Sequence, residues 1–206
     1  MREIGTPVGP AQVQVDEPPA EVRAVLVLGH GAGGGVDAPD ILAVRTAALA
    51  VGVRTVRVTQ PYRVAGRRTP APAGQLDTAW LAVLEELRPE WGGLPVVTGG
   101  RSSGARVACR TADAAGAAGV VALAFPVHPP GRPETTRLPE LAAVAVPVFV
   151  VSGERDPFGV APRARGRKVL VLPGAVHDLR KGVDTIGPAL VTWLARHGWA
   201  GKRSRS

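Results

Sequence analysis

Sulfur and aromatic rings are scarce in this 206-residue chain, which has one cysteine, one methionine, one tyrosine and an aromatic content of 4%. A lone Cys109 excludes an intrachain disulfide and fits a reducing compartment. With so few rings, valine, leucine and alanine must fill most of the core, and no basic motif interleaved with aromatics marks a nucleic-acid surface. No run approaches the roughly 20 apolar residues that span a bilayer. The opening Met1-Arg2-Glu3-Ile4-Gly5-Thr6-Pro7 lacks the apolar stretch of a secretory signal, so the expectation is a soluble, cytoplasmic protein without a membrane partner. Acidic groups are also in deficit, 17 against 25 lysines and arginines, for a net charge of +8. Part of the excess lies in Lys202, Arg203 and Arg205, and much of the rest is scattered over Arg63, Arg67, Arg68, Arg163, Arg165 and Arg167. That pattern reads as a solvated surface, with weak, salt-sensitive binding to acidic polymers as the alternative and no specific nucleic acid expected.

What is abundant is apolar sequence, 45% of the chain, punctuated by 26 glycines and 20 prolines. Continuous apolar runs recur at 24–28, 55–58, 96–98, 120–123, 148–151 and 169–172, as expected of strands buried on both faces. Between them lie helical patterns. Ile41–Ala50 has Asp40 in position to cap it. Gln75–Leu87 puts Leu76, Ala79, Trp80, Val83, Leu84 and Leu87 on one face and is closed by Pro89. Ser103–Ala114 and Ile186–Arg196 complete the set. Strands alternating with helices predict an α/β fold: a doubly wound, mostly parallel sheet with helices on both faces and ligands at the carboxyl ends of its strands. One domain is expected over residues 22–198. A lead-in over 1–21 holds an edge strand at Val13-Gln14-Val15, and a basic, disordered tail covers 199–206.

The sharper motifs fall at strand ends. Gly100, Ser102 and Gly104 spell G-x-S-x-G between a strand and a helix, where glycines permit a sharp turn that exposes the serine oxygen. At the start of a helix that oxygen would also find its developing negative charge favoured. A serine hydroxyl needs a base, and His177, just past the last strand, is the candidate among four histidines. His197 ends a helix and reads as structural. The acid that orients the base belongs in the loop Ser152-Gly153-Glu154-Arg155-Asp156-Pro157, which offers Asp156 and, as the alternative, Glu154; Asp156 lies further beyond the strand and precedes a proline that favours a turn. Ser, then Asp, then His is a chain order that supports acyl transfer. Such a base must be neutral to act, so activity should rise with pH through a range near 6.5.

The run Gly29-His30-Gly31-Ala32-Gly33-Gly34-Gly35 frees backbone amides, and the N–H groups of Ala32 and Ser103 are the candidate oxyanion donors. The same run fits G-x-G-x-x-G. However, Val36-Asp37-Ala38-Pro39 delays the helix, and the following strand ends Arg57-Val58-Thr59-Gln60 without the acid a dinucleotide site needs. His30, Arg101 and His128 are candidates to line a substrate pocket. His30 is expected to brace its loop, Arg101 either attracts an anionic substrate or is a plain surface arginine, and His128 is either a substrate contact or part of a rigid loop.

Together, the loop His30–Gly34, the turn Gly100–Gly104, and Asp156 followed by His177 resemble the α/β-hydrolase superfamily over about residues 22–197. The strings 99–106, 125–134 and 153–159 are similar to its small, lidless branch. That branch includes dienelactone-hydrolase-like proteins and the hydrolase-like domain of a chromatin-complex (NSL complex) subunit. The resemblance implies Ser102, Asp156 and His177 as the catalytic triad, prefers Asp156 to Glu154, and places the His128 loop beside the pocket. Dienelactone hydrolases proper carry a cysteine where this chain has Ser102, which argues against dienelactone as substrate. The expected activity is hydrolysis of a small ester or thioester through an acyl-enzyme, with no metal or organic cofactor. The alternative is an interaction module that keeps the scaffold without turnover.

Overall fold

A computed structural model describes residues 1–201. Six parallel strands coincide with the six apolar runs: β3 (Ala24–Gly29), β4 (Val53–Thr59), β5 (Val96–Arg101), β6 (Gly119–Leu123), β7 (Val148–Gly153) and β8 (Arg167–Leu172). Every residue of β3, β6 and β7 is buried, which is why those segments carry no polar alternation. Two antiparallel strands precede them, β1 (Arg2–Ile4) and β2 (Ala11–Asp16), and the sheet order is β1-β2-β4-β3-β5-β6-β7-β8. The strand expected around Val13 is therefore longer than its alternating core, and it is not the edge, because β1 lies outside it. Ile4, Ala11 and Val13 are buried with Val56 and Val58 in one cluster, so β1 and β2 share the core.

Helices cover both faces. α1 (Pro39–Leu49) and α6 (Ile186–Arg196) pack on one, with Leu26, Leu28, Phe149 and Val151 beneath them. α3 (Ala73–Leu87) and α4 (Ser103–Thr111) take the other. Shorter helices, α2 (Pro61–Val64) and α5 (Leu138–Ala142), occupy loops. The chain leaves β3 for β4 through α1 on one face and returns to β5 through α3 on the other. The order thus reverses at β3, which sets the loops after β3 and β5 side by side at the carboxyl edge.

Three boundaries differ from expectation for local reasons. α1 begins at Pro39 with Ala38 as its N-cap, so Asp40 sits inside the first turn, fully buried, and is not the cap. Pro89 does not end the helical path; Arg88–Trp91 continues as a 3-10 turn with the proline early enough that its missing N–H costs nothing. Trp199, expected in a disordered tail, is 8% exposed and packs edge-on against Trp193, and the Gly201 N–H donates to the Val51 carbonyl at 2.8 Å. The remaining tail, 202–206, lies outside the described residues.

Cys109 is buried in α4, and loss of solvation pushes its thiol up to about 12. No helix among the described residues is long and apolar enough to cross a membrane.

Candidate active site

The turn between β5 and α4 is held in a conformation few side chains tolerate. Ser102 has φ 53° and ψ −109°, in the positive-φ region that L-residues avoid, and its N–H is anchored to the Leu123 carbonyl at 2.8 Å. The turn also runs hard against β3. A Cβ on Gly100 would meet the Gly29 carbonyl oxygen at 2.7 Å, and one on Gly104 would meet the same oxygen at 2.7 Å. Both motif glycines are therefore set by backbone-to-backbone approach, which leaves the serine side chain between them free to point outward.

That side chain meets His177 from the loop after β8. The Ser102 hydroxyl lies 2.8 Å from His177 Nε2, and His177 Nδ1 lies 2.8 Å from Asp156 Oδ2. With Nδ1–H donating to the carboxylate, the Nε2 lone pair faces the hydroxyl. The Asp156 side chain is fully buried, and its second oxygen accepts the Phe158 N–H at 2.8 Å. The Phe158 ring lies over the imidazole at a centroid distance of 4.2 Å, a support that sequence reading missed. Hydrophobic pattern offered no signal for it; the only hint was its place two residues past the acid.

The acid and histidine loops touch through their backbones. A Cβ on Gly153 would strike the Ala175 and Val176 carbonyl oxygens at 2.6 Å, so glycine is what lets them close. Arg155 N–H donates to Ala175 O at 2.8 Å. Glu154, the alternative acid, accepts the Gly174 N–H at 2.7 Å instead; it pins the turn before the histidine and does not touch the ring.

His30 is 3% exposed, and both ring nitrogens are engaged by backbone. Nδ1–H donates to Gly31 O at 2.8 Å, and Nε2 accepts the Gln60 N–H at 3.0 Å. Burial lowers its pKa, in keeping with a neutral ring that ties the β3 loop to the end of β4. That leaves neither ring nitrogen free for a ligand. The Tyr62 hydroxyl fixes the same loop by donating to the Ala32 carbonyl at 2.7 Å. Neither the Ala32 nor the Ser103 N–H donates to a group among the described residues. His128 donates from Nδ1 to Pro129 O at 2.9 Å and packs on Gly159, beside the acid loop.

Arg101 is not a free surface arginine. Its side chain is 17% exposed, its Nε lies 3.0 Å from Asp40 Oδ2, and one terminal nitrogen donates to the His177 carbonyl at 2.8 Å. Burial pushes the Asp40 carboxyl up, and the neighbouring guanidinium opposes that shift.

Against known proteins, the model of a family described as an alpha/beta hydrolase domain matches residues 22–182. The chain belongs to this alpha/beta hydrolase family. No curated protein sequence matches it. Among solved structures, an alpha-beta serine hydrolase homologue from Coxiella burnetii superposes with a TM-score of 0.74 at 21% identity, covering 94% of this chain and 96% of the other. A serine hydrolase without lid from Xanthomonas campestris gives 0.74 at 21% identity, covering 95% and 93%. Est1E from Butyrivibrio proteoclasticus gives 0.79 at 16% identity, covering 95% and 98%. In this alpha/beta hydrolase the segment joining β6 to β7 carries only the five-residue α5.

Proposed function

We propose that the protein is a serine hydrolase acting on small esters or thioesters. The observation that carries this reading is the unbroken hydrogen-bonded chain from Asp156 through His177 to Ser102, 2.8 Å at each link. In the first half-reaction the Ser102 oxygen attacks the acyl carbonyl while His177 Nε2 takes the hydroxyl proton. Asp156 stabilises the resulting imidazolium, and the carbonyl oxygen, now negative, draws on the Ala32 and Ser103 N–H groups. Collapse of the tetrahedral adduct breaks the bond to the alcohol or thiol, which leaves with the proton from His177. Water then enters, His177 takes its proton, and hydroxide adds to the acyl-enzyme. The second adduct releases the acid and returns the proton to Ser102.

The short β6–β7 segment, with only the five-residue α5, supports short, soluble acyl groups over long chains. The pairing of Arg101 with Asp40 removes one source of selectivity for anionic substrates.

A fluorophosphonate probe tests the assignment. The protein should label once per chain, Ser102→Ala should abolish labelling, and a short-chain nitrophenyl ester should be turned over by the parent only. Labelling that survives in Ser102→Ala overturns the nucleophile. An unlabelled parent that hydrolyses no ester favours an interaction module built on the same scaffold.

A further inference from the structure

The imidazole that must meet Ser102 sits on a loop without regular structure, whereas the serine is fixed to the end of β5. One side chain refers both to the same strand. Arg101 is the last residue of β5, next to Ser102, and its guanidinium reaches three segments at once. It donates to the His177 main-chain carbonyl at 2.8 Å, lies 3.0 Å from the carboxylate of Asp40 in the first turn of α1, and packs beneath the oxyanion loop, where a Cβ on Gly31 would come within 3.1 Å of it. Asp40 is fully buried, and its other oxygen accepts the Ile41 N–H at 3.1 Å, so the anchor is itself fixed.

The geometry points to Arg101 as a positioning residue: clamped by Asp40, it fixes the backbone of His177 and so sets the imidazole against Ser102. This rests on the hydrolase reading above. The planar fork is essential to the role, because a lysine supplies the charge for Asp40 but cannot span to the carbonyl in the same geometry. Arg101 touches no reacting atom, so its loss should slow the chemical step and leave ground-state binding alone.

The test compares Arg101→Lys with the double variant Asp40→Asn/Arg101→Met, which leaves no unpaired carboxylate in the core. Four readouts are followed: kcat and KM for a neutral and a carboxylate-bearing nitrophenyl ester, the final extent of fluorophosphonate labelling, the melting temperature, and the downfield proton resonance of the His177–Asp156 hydrogen bond. The clamp predicts kcat lower by about 10- to 100-fold in both variants, the scale of a small misplacement. KM should stay within about twofold for both esters. Labelling should be slower but complete, and the downfield proton should be shifted or broadened. Parent-like kcat overturns the proposal, as does rescue by lysine. A rise in KM confined to the carboxylate-bearing ester would make Arg101 a substrate anchor instead. A kcat loss matched by an equal loss of labelled protein would reduce its role to stability. If the parent itself never labels, the hydrolase reading fails on its own account; the downfield resonance still judges the clamp, and an unmoved resonance in both variants overturns it.

Discussion

His30 follows β3 and His177 follows β8, and both loops close on the turn that carries Ser102. The two rings are held in opposite ways. His30 is buried, and both its nitrogens are occupied by main-chain groups, one donating and one accepting, so neither is available for exchange. His177 is partly open to solvent, and both its nitrogens face side chains, a carboxylate on one side and a hydroxyl on the other. Backbone partners make a histidine a strut; under the proposed hydrolase reading, a carboxylate and a hydroxyl make it a shuttle. Neither the residue type nor its nearness to a glycine-rich loop distinguishes the two.

The largest test of that contrast is at the shuttle. Ser102→Ala and His177→Ala should each reduce kcat by at least about 10⁴-fold, and the double variant by little more, because the pair works as a unit. Steady-state hydrolysis of a short ester measures both losses. Next comes the carboxylate: Asp156→Asn should cost about 10³- to 10⁴-fold by allowing the wrong tautomer. Glu154→Gln, which touches only the Gly174 amide, should stay within about threefold. Equal losses at the two acids would mean that the geometry has been misread.

At the strut, His30→Gln should cost about 1–3 kcal/mol of stability through the orphaned Gln60 amide, read by denaturant unfolding. It should lower kcat modestly and leave the acidic limb of the pH–rate profile where it was. A displaced limb would mean that His30 takes part in proton transfer.

The smallest effect is on stability against pH. Burial lowers the His30 pKa, so as pH falls the unfolded chain takes up this proton before the folded protein does. Its contribution is complete above about 6.5 and is lost as pH drops from there toward the folded value. That loss should appear as a fall in parent stability over this window and be missing from His30→Gln.

Sequence legibility followed the range of the interaction. Six strands could be read from composition, because a strand covered on both faces must be apolar throughout. β1 could not: Arg2-Glu3-Ile4 is too short for a pattern and owes its place to pairing with β2. Ser102, Asp156 and His177 were legible as residue types at strand ends in a fixed order. Their supports, Phe158 over the ring and Arg101 beneath its backbone, were not, since both contacts join segments far apart in the chain. Asp40 shows the same limit from the other side. By local rules an aspartate ahead of an apolar stretch is a cap, yet a guanidinium 61 positions further along the chain draws it into the core. Trp199 was misassigned because glycine and basic residues around it suggest a chain end, while its ring packs on Trp193 and His197 just before it and reaches Gly119 of β6 across the fold.

The solitary thiol of Cys109 has an experimental consequence. Protonated and shielded within the helix that starts beside Ser102, it should resist alkylating agents and mild oxidants for as long as that helix stays closed. Iodoacetamide trapping would therefore act as a clock for opening of the molecule, counting excursions of α4 in any variant without an added label.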